Sequence, residues 1–148
     1  MICLDTNFLI LGLVSGSTES KKLIHWVQAG EILITPMPAW YEFLCGPVSA
    51  IQISTMRAFL QEVIAFDDAQ ASTAAQLFNA TGRKRSLRVD AMIAATSIGA
   101  NAKLVASGVF NICCITRCSQ CTKATGIKPT PPTNFGLVPL PIRLGNKA

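Results

Sequence analysis

The first ten residues, Met1-Ile2-Cys3-Leu4-Asp5-Thr6-Asn7-Phe8-Leu9-Ile10, constrain the fold more than any other stretch. An apolar run, Ile2 to Leu4, meets an acid at Asp5, and a second apolar run begins at Phe8. This reads as a short buried strand with Asp5 as its last residue, turning directly into a helix. An unpaired charge is costly in a core, so the carboxylate belongs at the rim of a sheet. In open α/β sheets the rim at the strands' C-terminal ends is where ligands bind. Asp5 is therefore either the cap of a helix starting near Thr6 or a functional acid. The choice depends on whether other isolated acids reach the same rim.

The rest of the first 106 residues supplies an alternation of strand and helix. Leu23, Ile24 and Val27 have helical spacing and Gly30 ends that helix, which Ser17 or Thr18 can cap. Ile32-Leu33-Ile34 reads as a buried strand stopped by Thr35-Pro36, with Pro36 or Pro38 in the first turn of the next helix. That helix carries Trp40, Tyr41, Phe43 and Leu44, with Glu42 as its only charge, and ends at Gly46-Pro47. Residues 49 to 62 suit a helix with Ile51 or Ile53, Met56 and Leu60 inward. Val63 to Phe66 suits a third strand ending at Asp67-Asp68. Ala71, Ala74, Ala75 and Phe78 form one stripe of a further helix, closed by Gly82. A basic turn, Arg83-Lys84-Arg85-Ser86, then leads to a small-residue helix opened by Asp90 and a fourth strand over Lys103 to Ala106. Such alternation predicts an α/β fold with a parallel sheet covered on both faces.

Composition sets the outer limits. A chain of 148 residues with 50% apolar and 14% charged residues is long enough for one well-packed domain. Neither a signal peptide nor an apolar run of bilayer length is recognisable, which predicts a cytoplasmic protein with reduced cysteines and no membrane partner. All eight acids lie in residues 1 to 90, and residues 91 to 148 carry six Lys or Arg and no acid. Beyond Ser107 the pattern changes: Cys113, Cys114, Cys118 and Cys121 cluster, and five prolines fall between 128 and 141. Residues 107 to 148 form an atypical basic Cys- and Pro-rich tail with no sustained period, for which little regular order is expected. The cysteine spacing suits part of a thiolate zinc site, but no second pair accompanies it and His25 is the sole histidine. An accidental cluster is the favoured explanation.

Three acids stand apart from the rest: Asp5 after the first strand, Glu42 after the second, and Asp90 before the fourth. Gathered at one sheet edge they repel, at roughly 4 kcal/mol for a pair about 4 Å apart in a surface-like dielectric. A divalent cation relieves such repulsion, and Mg²⁺ or Mn²⁺ takes one or two carboxylates while keeping several waters. The alternative is that Asp5 and Asp90 are helix caps and Glu42 an exposed side chain; spacing leaves both open. Arg83, Lys84, Arg85 and Arg88, just before Asp90, suit RNA phosphates as well as they suit a solvated turn. Trp26, Trp40, Tyr41 and Phe43 are assigned chiefly to core or dimer contact rather than base stacking.

The opening Ile2 to Asn7, the segment from Thr35-Pro36 to Glu42, and Val89-Asp90-Ala91-Met92-Ile93-Ala94-Ala95-Thr96 together resemble the PIN domain, most nearly VapC-type toxins of bacterial toxin–antitoxin pairs. The likeness spans residues 1 to 106. It implies a three-layer α/β/α domain and a Mg²⁺- or Mn²⁺-dependent endoribonuclease with an antitoxin partner and a homodimeric state. Asp5, Glu42 and Asp90 match the family's metal-site acids, Asn7 a polar residue near them, and Thr6 a supporting partner. The family pattern T-x-[DN]-x-x-D/F after the fourth strand is replaced by Ala106-Ser107-Gly108-Val109-Phe110, and no acid follows Asp90. A shifted reading frame near codon 105 would account for this tail. The resemblance with this departure implies reduced activity or, as the alternative, an inactive module that binds antitoxin or RNA.

Overall fold

In the computed structural model, residues 1–107 are described. Four strands, β1 (Ile2–Leu4), β2 (Leu33–Pro36), β3 (Glu62–Ile64) and β4 (Lys103–Val105), form one sheet in the order β3-β2-β1-β4. All three pairings are parallel, with Cys3 opposite both Ile34 and Leu104. Parallel neighbours require crossovers, and the helices supply them: α1 (Thr6–Gly12), α2 (Thr18–Gln28), α3 (Met37–Cys45), α4 (Ala50–Phe59), α5 (Asp68–Ala80) and α6 (Arg88–Gly99). The expected α/β architecture with a helix-covered parallel sheet is what the chain adopts.

The helices make two apolar layers. On one face, Ile2, Leu4 and Leu33 pack with Phe8 and Leu9 of α1, Leu23 of α2, Phe43 of α3 and Met56 of α4. On the other, Ala74 and Leu77 of α5 pack with Ala91, Ala94 and Ala95 of α6, and Leu104 leans against them. The alanines let α5 and α6 approach closely, so the small-residue helix packs mainly on its neighbour helix. Gly12 does a similar job in the first layer. A Cβ there would stand 3.4 Å from both Leu23 Cδ2 and Met56 Cε, so the position is already closely packed by side chains of α2 and α4.

Several local expectations are corrected. Thr35 and Pro36 belong to β2 rather than ending it; the Thr35 hydroxyl is fully buried and donates to the Leu4 carbonyl at 2.9 Å, tying β2 to β1. Pro36 is also the residue from which α3 springs, with Pro38 in its first turn, where no N–H is missed. Ser17 caps α2 and Gly30, at φ +71°, turns the chain just after it, while Ile24 and Val27 point outward. Of the two candidates in α4, Ile51 is exposed and Ile53 packs partly buried against the core beside Met56 and Leu60. In α5 the buried pair is Ala74 and Leu77, and Ala75 is exposed. The cysteine cluster and the tail beyond Ser107 lie outside the described residues.

Candidate metal centre

β1 lies inside the sheet, so its C-terminal end opens between β2 and β4, and Asp5 sits there. Asp5 is not the last residue of the strand but the N-cap of α1: its Oδ1 accepts from the Phe8 backbone N–H at 2.7 Å. Only 1% of its surface is exposed. Cap and functional acid are therefore not alternatives here. The cap bond fixes one carboxylate oxygen and thereby the orientation of the whole group.

α3 and α6 bring the other acids to the same end. Glu42 lies in the middle of α3, half-buried, and its Oε2 accepts from Thr6 Oγ1 at 2.6 Å. The exposed-side-chain alternative for Glu42 therefore fails. Asp90 occupies the first turn of α6, whose N-cap is Leu87, and no side chain makes a capping bond there. Asp90 is not the cap of its helix. Together Asp5, Thr6, Asn7, Glu42, Asp90 and Ile93 line one cleft of about 320 Å³. Ile93 was not anticipated, although its spacing of three from Asp90 puts both on one face of α6.

The electrostatics follow from this gathering. Burial pushes the Asp5 carboxyl up to about 6, against the pull of the Phe8 and Ser107 backbone N–H groups, and the charges of Asp90 and Glu42 push it the same way. Burial, and after it the Glu42 charge, also raises Asp90. Cys3, beneath the site, is pushed to about 12 by burial and by Asp5, so it is an inert packed thiol. The like charges are near enough to disturb one another, yet among the described residues no three carboxylate, imidazole or thiolate groups close into a complete ligand set. That donor set fits a hard, well-hydrated ion such as Mg²⁺, bound through one or two carboxylates with water completing the octahedron. It does not fit a stripped structural ion such as zinc.

The basic turn borders this end. Arg85–Leu87 is one turn of 3-10 helix leading straight into α6, and Arg83, Lys84, Arg85 and Arg88 are all exposed. Arg83 adopts a left-handed φ of 59° and its Nε donates to Asn79, while the Arg88 guanidinium lies 5.9 Å from the centre of the Phe78 ring. None of the four forms an ion pair among the described residues. The aromatic residues divide as follows: Phe43 is core, Trp26 stacks on Phe8, Trp40 lies against Phe43, and Tyr41 is exposed.

An inner strand followed at once by a helix-capping acid, with carboxylates converging from α3 and α6, defines an α/β domain with an acidic cleft. The PIN domain model matches residues 2–108, and the chain belongs to the PIN domain family. PIN domains are generally metal-dependent nucleases that usually employ Mg²⁺. Among solved structures, FitAcB from Neisseria gonorrhoeae is similar in fold at 17% identity, covering 76% of this chain and 91% of that one with a TM-score of 0.56. VapBC2 from Rickettsia felis, bound to a DNA fragment from their promoter, is similar at 19% identity, covering 73% and 89%, also with a TM-score of 0.56. No curated protein sequence matches. Among the described residues no helix is long and apolar enough to cross a membrane.

Proposed function

We propose that this PIN domain is a Mg²⁺- or Mn²⁺-dependent endoribonuclease, the toxin of a toxin–antitoxin pair, acting in the cytoplasm. The observation that carries the reading is the convergence of Asp5, Glu42 and Asp90 on one cleft at the C-terminal end of a parallel sheet. Asp5 and Asp90 would hold the ion, with Glu42 orienting it or its water. Bound there, the ion supplies an activated water and charge stabilisation at the leaving oxygen of a phosphodiester. The protein's own part is positional. Phe8 N–H fixes Asp5, Thr6 fixes Glu42, and Asn7 stands exposed at the cleft to meet substrate. Arg83, Lys84, Arg85 and Arg88 neutralise RNA phosphates beside it. The fold likeness to FitAcB and VapBC2 supports an antitoxin as protein partner, and a second copy of the chain is the expected oligomeric partner.

A second reading has one observation in its favour: no acid follows Asp90 in the sequence. A cleft short of one carboxylate suits a module that still binds RNA or antitoxin but cuts weakly or not at all. Incubating RNA with the full chain, with and without Mg²⁺, separates the two. Cleavage only in Mg²⁺ supports the nuclease, and RNA retention without cleavage supports the binding module.

A further inference from the structure

One long-range polar contact near the cleft has no part in the reading above. The Ser107 hydroxyl donates to Glu19 Oε1 at 3.1 Å, joining residues 88 positions apart. Glu19 lies in the first turn of α2 and does not line the cleft. Its place is set by a rigid corner: Ser17 caps α2 by accepting from the Ser20 N–H, and its own hydroxyl donates to the Leu11 carbonyl at the end of α1. Ser107 is equally well placed. β4 pairs with β1 through Val105 opposite Leu4, and the Asp5 N–H donates to the Val105 carbonyl at 3.2 Å. The chain leaving β4 thus runs beside Asp5, close enough for the Ser107 backbone N–H to pull the Asp5 carboxyl down.

We propose that Glu19 is a positioning residue: by holding the Ser107 hydroxyl it pins the segment after β4 against Asp5 and so fixes the carboxylate that meets the metal. The relay rests on the metal-nuclease reading of the cleft. The Phe8 hydrogen bond then holds the carboxylate from the helix side, and the pinned chain at Ser107 borders it from the strand side. Among the described residues β4 is an edge strand of three residues, and the Glu19–Ser107 bond is the side-chain bond that ties its exit to the helices. Since Glu19 stands outside the cleft, its carboxylate acts through an accepted hydrogen bond and not through its charge on the ion. A neutral acceptor of the same shape therefore serves equally.

The test measures Mn²⁺ binding by calorimetry and metal-free melting on the full chain and on Asp5→Asn, Glu19→Ala, Glu19→Gln and Ser107→Ala. Glu19→Ala and Ser107→Ala should each weaken Mn²⁺ binding about tenfold, as loss of an outer hydrogen-bond partner does. The double variant should be no weaker than either, because both break one link. Glu19→Gln should bind Mn²⁺ like the wild type. Binding lost in Asp5→Asn but unchanged in both alanine variants overturns the relay and leaves the metal-site reading standing. Equal loss in Glu19→Gln and Glu19→Ala overturns it too, since the charge and not the link would then matter. No Mn²⁺ binding by the wild type overturns the relay and the reading together.

Discussion

Thr6 Oγ1 and Glu42 Oε2 lie 2.6 Å apart, joining the first turn of α1 to the middle of α3 across the cleft. A hydroxyl that donates to a carboxylate makes a short, charge-assisted bond, roughly twice as strong as a neutral one. The bond leaves Glu42 with one oriented oxygen for the cleft and holds its flexible side chain still. Asp5, immediately before Thr6, is oriented by its own cap bond. Two donors in the first turn of α1, Thr6 and Phe8, thus orient two of the three acids.

Thr6→Val removes the donor and keeps the side-chain shape. Since Thr6 is only half-buried and Glu42 can turn to water, stability should fall by about 1 kcal/mol or less. RNA cleavage should fall roughly tenfold, because Glu42 is no longer held. Cleavage rates and thermal melts on the same preparation check both. An unchanged rate would show that Glu42 finds its place without Thr6.

Asp5 makes a pH-dependent contribution with a definite sign. Its folded value of about 6 lies above the ordinary 3.8, so the folded state holds the proton more tightly. Stability from this group is therefore fully present below pH 4 and is lost as pH rises through 6, by up to about 3 kcal/mol without metal. Asp5→Asn keeps an acceptor for the Phe8 N–H and carries no charge. It should melt higher than the wild type at pH 8 in a chelator, with the difference vanishing near pH 4. A lower melting temperature at pH 8 would contradict the account.

Asp90→Ala distinguishes a metal ligand from an acid that serves the helix N-terminus alone. With Leu87 at the N-cap, the substitution removes only the acid's attraction to the helix N-terminus, about 0.3–1 kcal/mol. Against that, repulsion from Glu42 is relieved, so the metal-free fold should be nearly unaffected. Mn²⁺ affinity measured by calorimetry should fall steeply. Unchanged affinity with a large drop in melting temperature would assign Asp90 to the fold and not to the metal.

The basic turn makes a salt-dependent prediction. Arg83→Ala and Arg85→Ala should weaken RNA binding evenly across sequences. Each should reduce the slope of log affinity against log salt by about 0.7, the value for one lost contact to a single strand. A slope identical to the wild type would return these residues to the role of a solvated turn. Arg88→Ala is less clean, since its guanidinium also packs on Phe78.

Element types along residues 1–107 were legible because each strand is a short apolar run and each helix has its own start and stop. Side-chain direction was less so, as Ile24, Val27 and Ile51 show: a hydrophobic residue in a helix does not reveal which face the sheet will take. The site shows the limit most clearly. Asp5 and Asp67 look alike in the sequence, each an acid following an apolar run, and in the structure each caps a helix. What separates them is sheet order: β1 lies inside the sheet and its end faces converging helices, while among the described residues β3 is an edge strand and Asp67 stays exposed. Sheet order arises from pairing between distant segments, which no local pattern encodes. The family resemblance supplied it for Asp5, Glu42 and Asp90, and nothing in the sequence pointed to the Glu19–Ser107 link. The zinc and tail-order expectations fall on residues beyond 107.

The central claim is that the carboxylates at the end of the sheet hold a divalent ion for RNA cleavage. The most direct measurement incubates RNA with the full chain and with Asp5→Asn, each in Mg²⁺ and in chelator. The expected result is cleavage by the wild type in Mg²⁺ alone, at whatever rate three carboxylates allow, and none by Asp5→Asn although it folds. Cleavage by Asp5→Asn at the wild-type rate, or undiminished wild-type cleavage in chelator, would contradict it.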